Sequence, residues 1–158
     1  MIGRIEQIFP RLRGAVYQLT SPQSDRYNCI AWAAGDDAHW WWPDEPGQPE
    51  SSFWPPGVPR AETLDAFCEA FATLGYAVCD DEQPEANYEK IALFALSGVP
   101  KHAARQLSNA RWTSKLGPME DVEHELHDLT GMLYGSAVLL MKRPLPQTGP
   151  DSDSGSDS

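Results

Sequence analysis

Cys29 and His102 are the residues of this chain whose types could do covalent chemistry together. Cysteine catalysis needs a thiolate, a base within hydrogen-bond reach, and a third group that orients the base. Cys29 lies in the stretch from Asp25 to Gly35, Asp-Arg-Tyr-Asn-Cys-Ile-Ala-Trp-Ala-Ala-Gly, which reads as a short helix with the cysteine in its first turn. Asn28 suits the cap of that helix, because its side-chain oxygen can accept from a free backbone N–H. Gly35 suits a left-handed residue at the far end. The helix dipole and unpaired N–H groups there favour negative charge, so the expectation is a lowered thiol pKa and an available thiolate. The competing reading is packing, since free cysteine is among the most buried residue types.

His102 opens the run Lys101–Leu107, read as a strand, and Ala103 and Ala104 leave room beside the imidazole. Arg111–Leu116 follows across Ser108-Asn109-Ala110, a hairpin signal. The length of that turn decides which side chains share a face with His102. A two-residue turn at Asn109-Ala110 brings Thr113 and Lys115 to its side, and a change of one residue brings Trp112 and Ser114 instead. Ala110 stands where a glycine would suit the turn. Ser114 is the favoured third group, and Asp121 is a less local candidate or a carboxylate at a helix start.

Further elements must hold these residues in place. Ile2, Ile5 and Ile8 with Phe9 suggest a brief apolar helix face stopped by Pro10. Arg60–Leu74 is the clearest helix, with Leu64, Phe67, Cys68, Phe71 and Leu74 on one apolar stripe. Cys68 is thereby a core residue. Tyr76–Cys79 reads as a short strand, and Glu89–Leu96 as a strand buried on both faces. Pro118 is read as opening a short helix with Val122, Leu126 and Leu129 on its apolar side. Ser136–Arg143 is a last strand, stopped by Pro144. Between Asp36 and Pro59, Trp40, Trp41, Trp42, Phe53 and Trp54 alternate with prolines, which forbid long regular structure. This is an irregular loop pinned by its rings, and either packing or the wall of a substrate groove accounts for them.

The chain of 158 residues is long enough for one domain with its own core. Residues 1–144 read as that domain. Residues 145–158 read as a disordered acidic tail rich in Ser, Asp and Gly. The net charge is −11, of which Asp151, Asp153 and Asp157 supply three negatives. An acidic surface argues against nucleic acid or an anionic membrane as the main partner. Three cysteines, at 29, 68 and 79, make neither a disulfide framework nor a zinc knuckle. No signal peptide or membrane-spanning run is legible, so the expected place is a reducing cytoplasm. His124 and His127 sit three apart on this acidic helix and could touch one metal. They are more simply exposed histidines, and no metal or cofactor is expected. His39 lies in the tryptophan loop without an assigned role.

The order of a cysteine-bearing helix and then a histidine-bearing strand resembles the papain-like cysteine hydrolases, in particular their small bacterial amidase and peptidase branch. His102-Ala-Ala-Arg-Gln-Leu, a hairpin, and Trp112-Thr-Ser-Lys-Leu-Gly117 are similar to the histidine hairpin of that branch. Residues 25–143 also resemble a bacterial family of domains of unknown function. The shared pieces are Tyr27-Asn-Cys-Ile-Ala-Trp-Ala33, Pro55-Pro-Gly-Val-Pro-Arg60 and Trp112–Gly117. The papain-like resemblance implies an α+β fold, with the cysteine-bearing helix packed on an antiparallel sheet. It implies Cys29 as nucleophile, His102 as general base and acid, and Ser114 as orienting group. An amide carbonyl would be attacked through an acyl-thioester. The backbone N–H of Cys29 would stabilise the oxyanion, with Asn28 either assisting or serving only as a cap. Trp42, Trp54 and Lys115 are candidate substrate-binding residues. Lys115 and Arg105 could hold a substrate carboxylate or be solvated surface charges. The expected partner is a peptide or protein substrate, and oligomeric state is left open. The alternative function is a catalytically silent, acidic, antitoxin-like binding domain on the same fold.

Overall fold

Nine residues, Tyr88–Leu96, form the central strand of the domain, and positions 90–95 are all buried. The apolar run from Ile91 to Ala95 suits a strand covered on both faces. Around it, the computed structural model describes residues 4–21, 26–43, 52–116, 120–131 and 133–145. In chain order the elements are α1 (Arg4–Ile8), a 3-10 turn (Pro10–Leu12), β1 (Gln18–Ser21), α2 (Cys29–Ala34), α3 (Leu64–Ala72), β2 (Ala77–Cys79), β3 (Tyr88–Leu96), β4 (Val99–Gln106), β5 (Trp112–Lys115), β6 (Asp121–His124), a second 3-10 turn (Leu126–Leu129) and β7 (Ser136–Pro144). The fold is mixed α+β. Among the described residues it has few helices and one seven-stranded antiparallel sheet of order β1-β6-β5-β4-β3-β7-β2.

Alternation along the strands splits the core into two layers. Ile91, Leu93, Ala103 and Met141 face one way and pack with Cys29, Ile30 and Ala31 of α2 and Phe67 and Phe71 of α3. Ala92, Phe94, Ala104, Trp112 and Val122 face the other way, against Ile5, Phe9, Leu12, Leu126, Leu129 and Tyr134. The helix expected from Arg60 starts only at Leu64. Thr63 caps it by accepting from the Ala66 N–H at 3.1 Å. Phe67 lies at its centre, with the Trp42 ring edge-on at 5.5 Å and the Trp54 ring tilted at 5.1 Å.

The largest correction concerns residues 118–129. Val122, Leu126 and Leu129 have helical spacing, yet Asp121–His124 is a strand paired to both β1 and β5. Two partners in the sheet outweigh a local period of one short segment. Leu126 and Leu129 then fall in the 3-10 turn and remain buried. Pro118, the tail beyond Leu145 and the stretch 44–51 of the tryptophan loop lie outside the described residues. No described helix is long and apolar enough to cross a membrane.

Candidate active site

Asn28 fixes the start of α2 and ties the tryptophan loop to it. Its Oδ1 accepts from the N–H groups of Ala31 and Trp41, each at 3.1 Å, and its Nδ2 donates to the Trp41 carbonyl at 2.7 Å. A donor and an acceptor committed in this way make Asn28 a cap and a clamp. At the other end Gly35 takes the left-handed conformation, φ 87°, and its N–H closes the helix. Both signals are local, and both read correctly from sequence. Trp32 of α2 reaches across to β5, where its Nε1 donates to Thr113 Oγ1 at 3.0 Å.

Cys29 is the first helical residue and only 6 % exposed. Burial pushes its thiol pKa up to about 11. The N–H groups of Ala103, Ile30 and Cys29 itself favour the thiolate, as does the Lys115 ammonium, but together they do not offset the loss of water. The expected lowering is therefore corrected. A six-residue helix has the right end of its dipole at the sulfur, and desolvation in a packed layer is the larger effect. The sulfur lies against the backbone of Ala103, the residue after His102.

The turn between β4 and β5 settles the face of the hairpin. Leu107 N–H bonds to the Arg111 carbonyl at 2.7 Å, so three residues, Ser108, Asn109 and Ala110, make the loop. Ala110 takes φ 73°, the conformation a glycine would adopt more easily. Gln106 then pairs with Trp112, which puts Trp112 and Ser114 on the side of His102. His102 Nε2 lies 2.9 Å from Ser114 Oγ, and Ser114 Oγ lies 2.7 Å from His124 Nε2. His124 Nδ1 is 2.6 Å from the Glu125 carbonyl oxygen. All three side chains are fully buried. Burial, reinforced by His124, holds the His102 pKa well below the usual imidazole range. Burial also takes His124 down to about 4, against the opposing pull of the Glu125 carbonyl.

The remaining nitrogen of His102, Nδ1, is buried with no hydrogen-bond partner. No hydrogen bond joins it to Cys29, because the ring projects into the layer opposite α2. There it meets Phe94 edge-on and stacks on Tyr134 at 4.0 Å and 10°. A Cys29 thiolate would nonetheless act on Tyr134, whose pKa is raised by burial and by that charge. Of Phe94, Ser114 and Tyr134, Tyr134 alone has exposed surface, 8 %. Its turn is fixed by Gly135, at φ 73°, where a Cβ would fall 1.9 Å from the Ala95 carbonyl oxygen.

A family model for a domain of unknown function, DUF7689, matches residues 18–142, which include Cys29, His102, Ser114, His124 and Tyr134. The chain belongs to the DUF7689 family. No curated protein and no solved structure gives a significant match.

The remaining buried candidate residues of this DUF7689 domain lie on the α2 side of the sheet. Trp54 is buried and donates through Nε1 to the Pro59 carbonyl, and Trp42 is half-buried on Phe67. Lys115 is not a solvated charge: it is fully buried on the α2 side of β5, with its ammonium 5.0 Å from the centre of the Tyr27 ring. Asp121, opposite it across the β5–β6 pair, accepts from the Tyr27 hydroxyl at 2.9 Å and is buried in a strand, not at a helix start. Arg105 lies over the Trp32 ring at 5.2 Å. His39 is exposed and paired with Asp36, and exposed His127 lies 3.4 Å from Glu82. No described group of three His, Cys, Asp or Glu residues is placed to hold a metal. A cleft of about 460 Å³ runs between Glu85, Tyr88, Glu89, Arg105 and Leu145, away from Cys29 and His102. The reading of His124 as an exposed helix histidine is corrected, because it is fully buried in β6 beside Ser114, and Tyr134 was not singled out by the sequence. The signal for His124 was the alternation of Val122 and His124, matching Trp112 and Ser114 across the sheet, which the helical reading concealed.

Proposed function

We propose that this DUF7689 domain is a papain-like cysteine hydrolase or acyltransferase acting on an amide bond of a peptide or protein. Cys29 is the nucleophile, His102 the general base and acid, and Ser114 the group that orients His102. The observation that carries this reading is the unpartnered Nδ1 of His102. Buried polar atoms nearly always find a partner. Here one ring nitrogen is tethered by Ser114 while the other is left bare. A base awaiting a proton has that arrangement.

In the reaction, the Cys29 thiol gives its proton to His102 and the sulfur attacks the amide carbonyl. The backbone N–H of Cys29 steadies the oxyanion. Collapse expels the amine, which takes the proton from His102 and leaves an acyl-thioester. Water, or another amine in transfer, then attacks the thioester with His102 again taking and returning a proton. Both groups are covered and the His102 ring sits in the layer opposite α2, so turnover requires the Tyr134 ring to move aside and the imidazole to turn toward the sulfur.

The burial of Cys29 and its raised pKa favour a second reading, a catalytically silent protein-binding domain on the same fold. An activity-based acyl electrophile with mass spectrometry separates the two. The hydrolase reading expects acylation at Cys29 in wild type and in Tyr134→Ala, lost in His102→Ala. Absence of label at Cys29 in both proteins, with Cys68 and Cys79 labelled, would end the hydrolase reading. Cys29→Ala controls for label elsewhere.

A further inference from the structure

We propose that His124, acting through Ser114, is a positioning residue that holds His102 in the tautomer with its hydrogen on Nε2 and a lone pair on Nδ1. The consequence for catalysis rests on the hydrolase reading above, but the assignment of hydrogens does not.

The argument starts at the far end of the chain of contacts. A backbone carbonyl can only accept, so His124 Nδ1, at 2.6 Å from the Glu125 oxygen, carries a hydrogen. Burial keeps His124 neutral at pH 7, so its Nε2 has none and must accept. Ser114 Oγ, 2.7 Å away, donates its single hydrogen to that nitrogen. What Ser114 retains is acceptor capacity, so His102 Nε2, at 2.9 Å, donates to it. His102 is also neutral, so Nδ1 is bare. The reverse polarity would set a lone pair of His124 Nδ1 against a lone pair of the carbonyl. One backbone oxygen thus dictates the protonation of an imidazole two strands away.

For the proposed reaction this matters because only an unprotonated Nδ1 can take the Cys29 proton. On taking it, His102 becomes imidazolium, with Nε2–H still the donor that faces Ser114. Neither His124 nor Ser114 touches the reacting atoms, and each acts through His102.

The test uses the full chain labelled with ¹⁵N, and long-range ¹H–¹⁵N correlation of the imidazoles at neutral pH. The expected pattern is a hydrogen on Nε2 of His102 and on Nδ1 of His124, with exposed His39 and His127 as references. A hydrogen on His102 Nδ1, or on His124 Nε2, overturns the proposal. Ser114→Ala and His124→Phe cut the chain at two points, and the first changes so little volume that folding should survive. Exchange of the His102 Nε2 hydrogen with solvent should quicken by an order of magnitude or more in Ser114→Ala, and unchanged exchange overturns the proposal. In an acylation assay, Ser114→Ala should lower the rate at Cys29 on the order of 100-fold with KM unchanged, and Ser114→Thr should restore most of it. A wild type with the expected hydrogens but no acylation strikes the hydrolase reading alone and upholds the assignment.

Discussion

Acid should weaken this domain well before its carboxylates begin to protonate. His102 and His124 are both fully buried and both neutral in the fold. In the unfolded chain each takes a proton near pH 6.5. In the folded chain His124 stays neutral down to about pH 4. Between those values the unfolded chain binds more protons, so stability is fully present above pH 6.5 and drains as pH falls toward 4. That interval corresponds to roughly 3 kcal/mol for His124, and His102 adds to it in the same direction. Against a typical total of about 5–15 kcal/mol, this is a large fraction. Asp36 does not fill the same window. Burial opposes its charge, but hydrogen bonds from Trp41, Ala38 and His39 hold its pKa below the ordinary value, so its contribution is lost only at lower pH. Urea unfolding followed by tryptophan fluorescence, from about pH 7 to about pH 4.5, measures the loss directly. His124→Phe should start less stable at neutral pH and show a shallower slope, since only His102 remains. A stability that is flat across this range in wild type, or an equal slope in His124→Phe, would refute the argument that these histidines are buried and uncharged.

Four further outcomes follow from packing and capping. Gly135→Ala places a Cβ 1.9 Å from a backbone oxygen at a positive φ, so it should cost roughly 3 kcal/mol or more and lower Tm accordingly in calorimetry. Phe67→Ala removes the ring on which Trp42 and Trp54 both rest, and should cost about 3–5 kcal/mol in urea unfolding. The same variant should shift the tryptophan emission to the red. Thr63→Ala removes the cap of α3 and should cost about 1 kcal/mol by the same assay. Cys29→Ala should fold with a loss of no more than about 1 kcal/mol, since alanine suits the first turn, and should abolish acylation. Loss of soluble protein in that variant would instead assign Cys29 to packing.

What could be read from the chain alone was what neighbouring residues decide among themselves. Asn28 and Gly35 bracket a helix because a cap and a left-handed end are formed within one turn of the backbone. The apolar run ending at Leu96 is a doubly covered strand, and the stripe through Phe67 and Phe71 is a helix face. The residue types of a cysteine site, and the hydroxyl on Ser114 as partner of His102, were also visible as candidates. The tertiary structure decided everything that depends on distant pairing. A three-residue loop with Ala110 in a left-handed conformation chose Ser114 over Thr113 as the neighbour of His102. Pairing to β1 and β5 made a strand of Asp121–His124, and so buried His124 at the end of a hydrogen-bond chain. Burial set the Cys29 thiol up where a helix end alone would have set it down. The physical reason is the same in each case: caps and turns are short-range hydrogen bonds, whereas strand partners and desolvation depend on chain that arrives from far away in sequence.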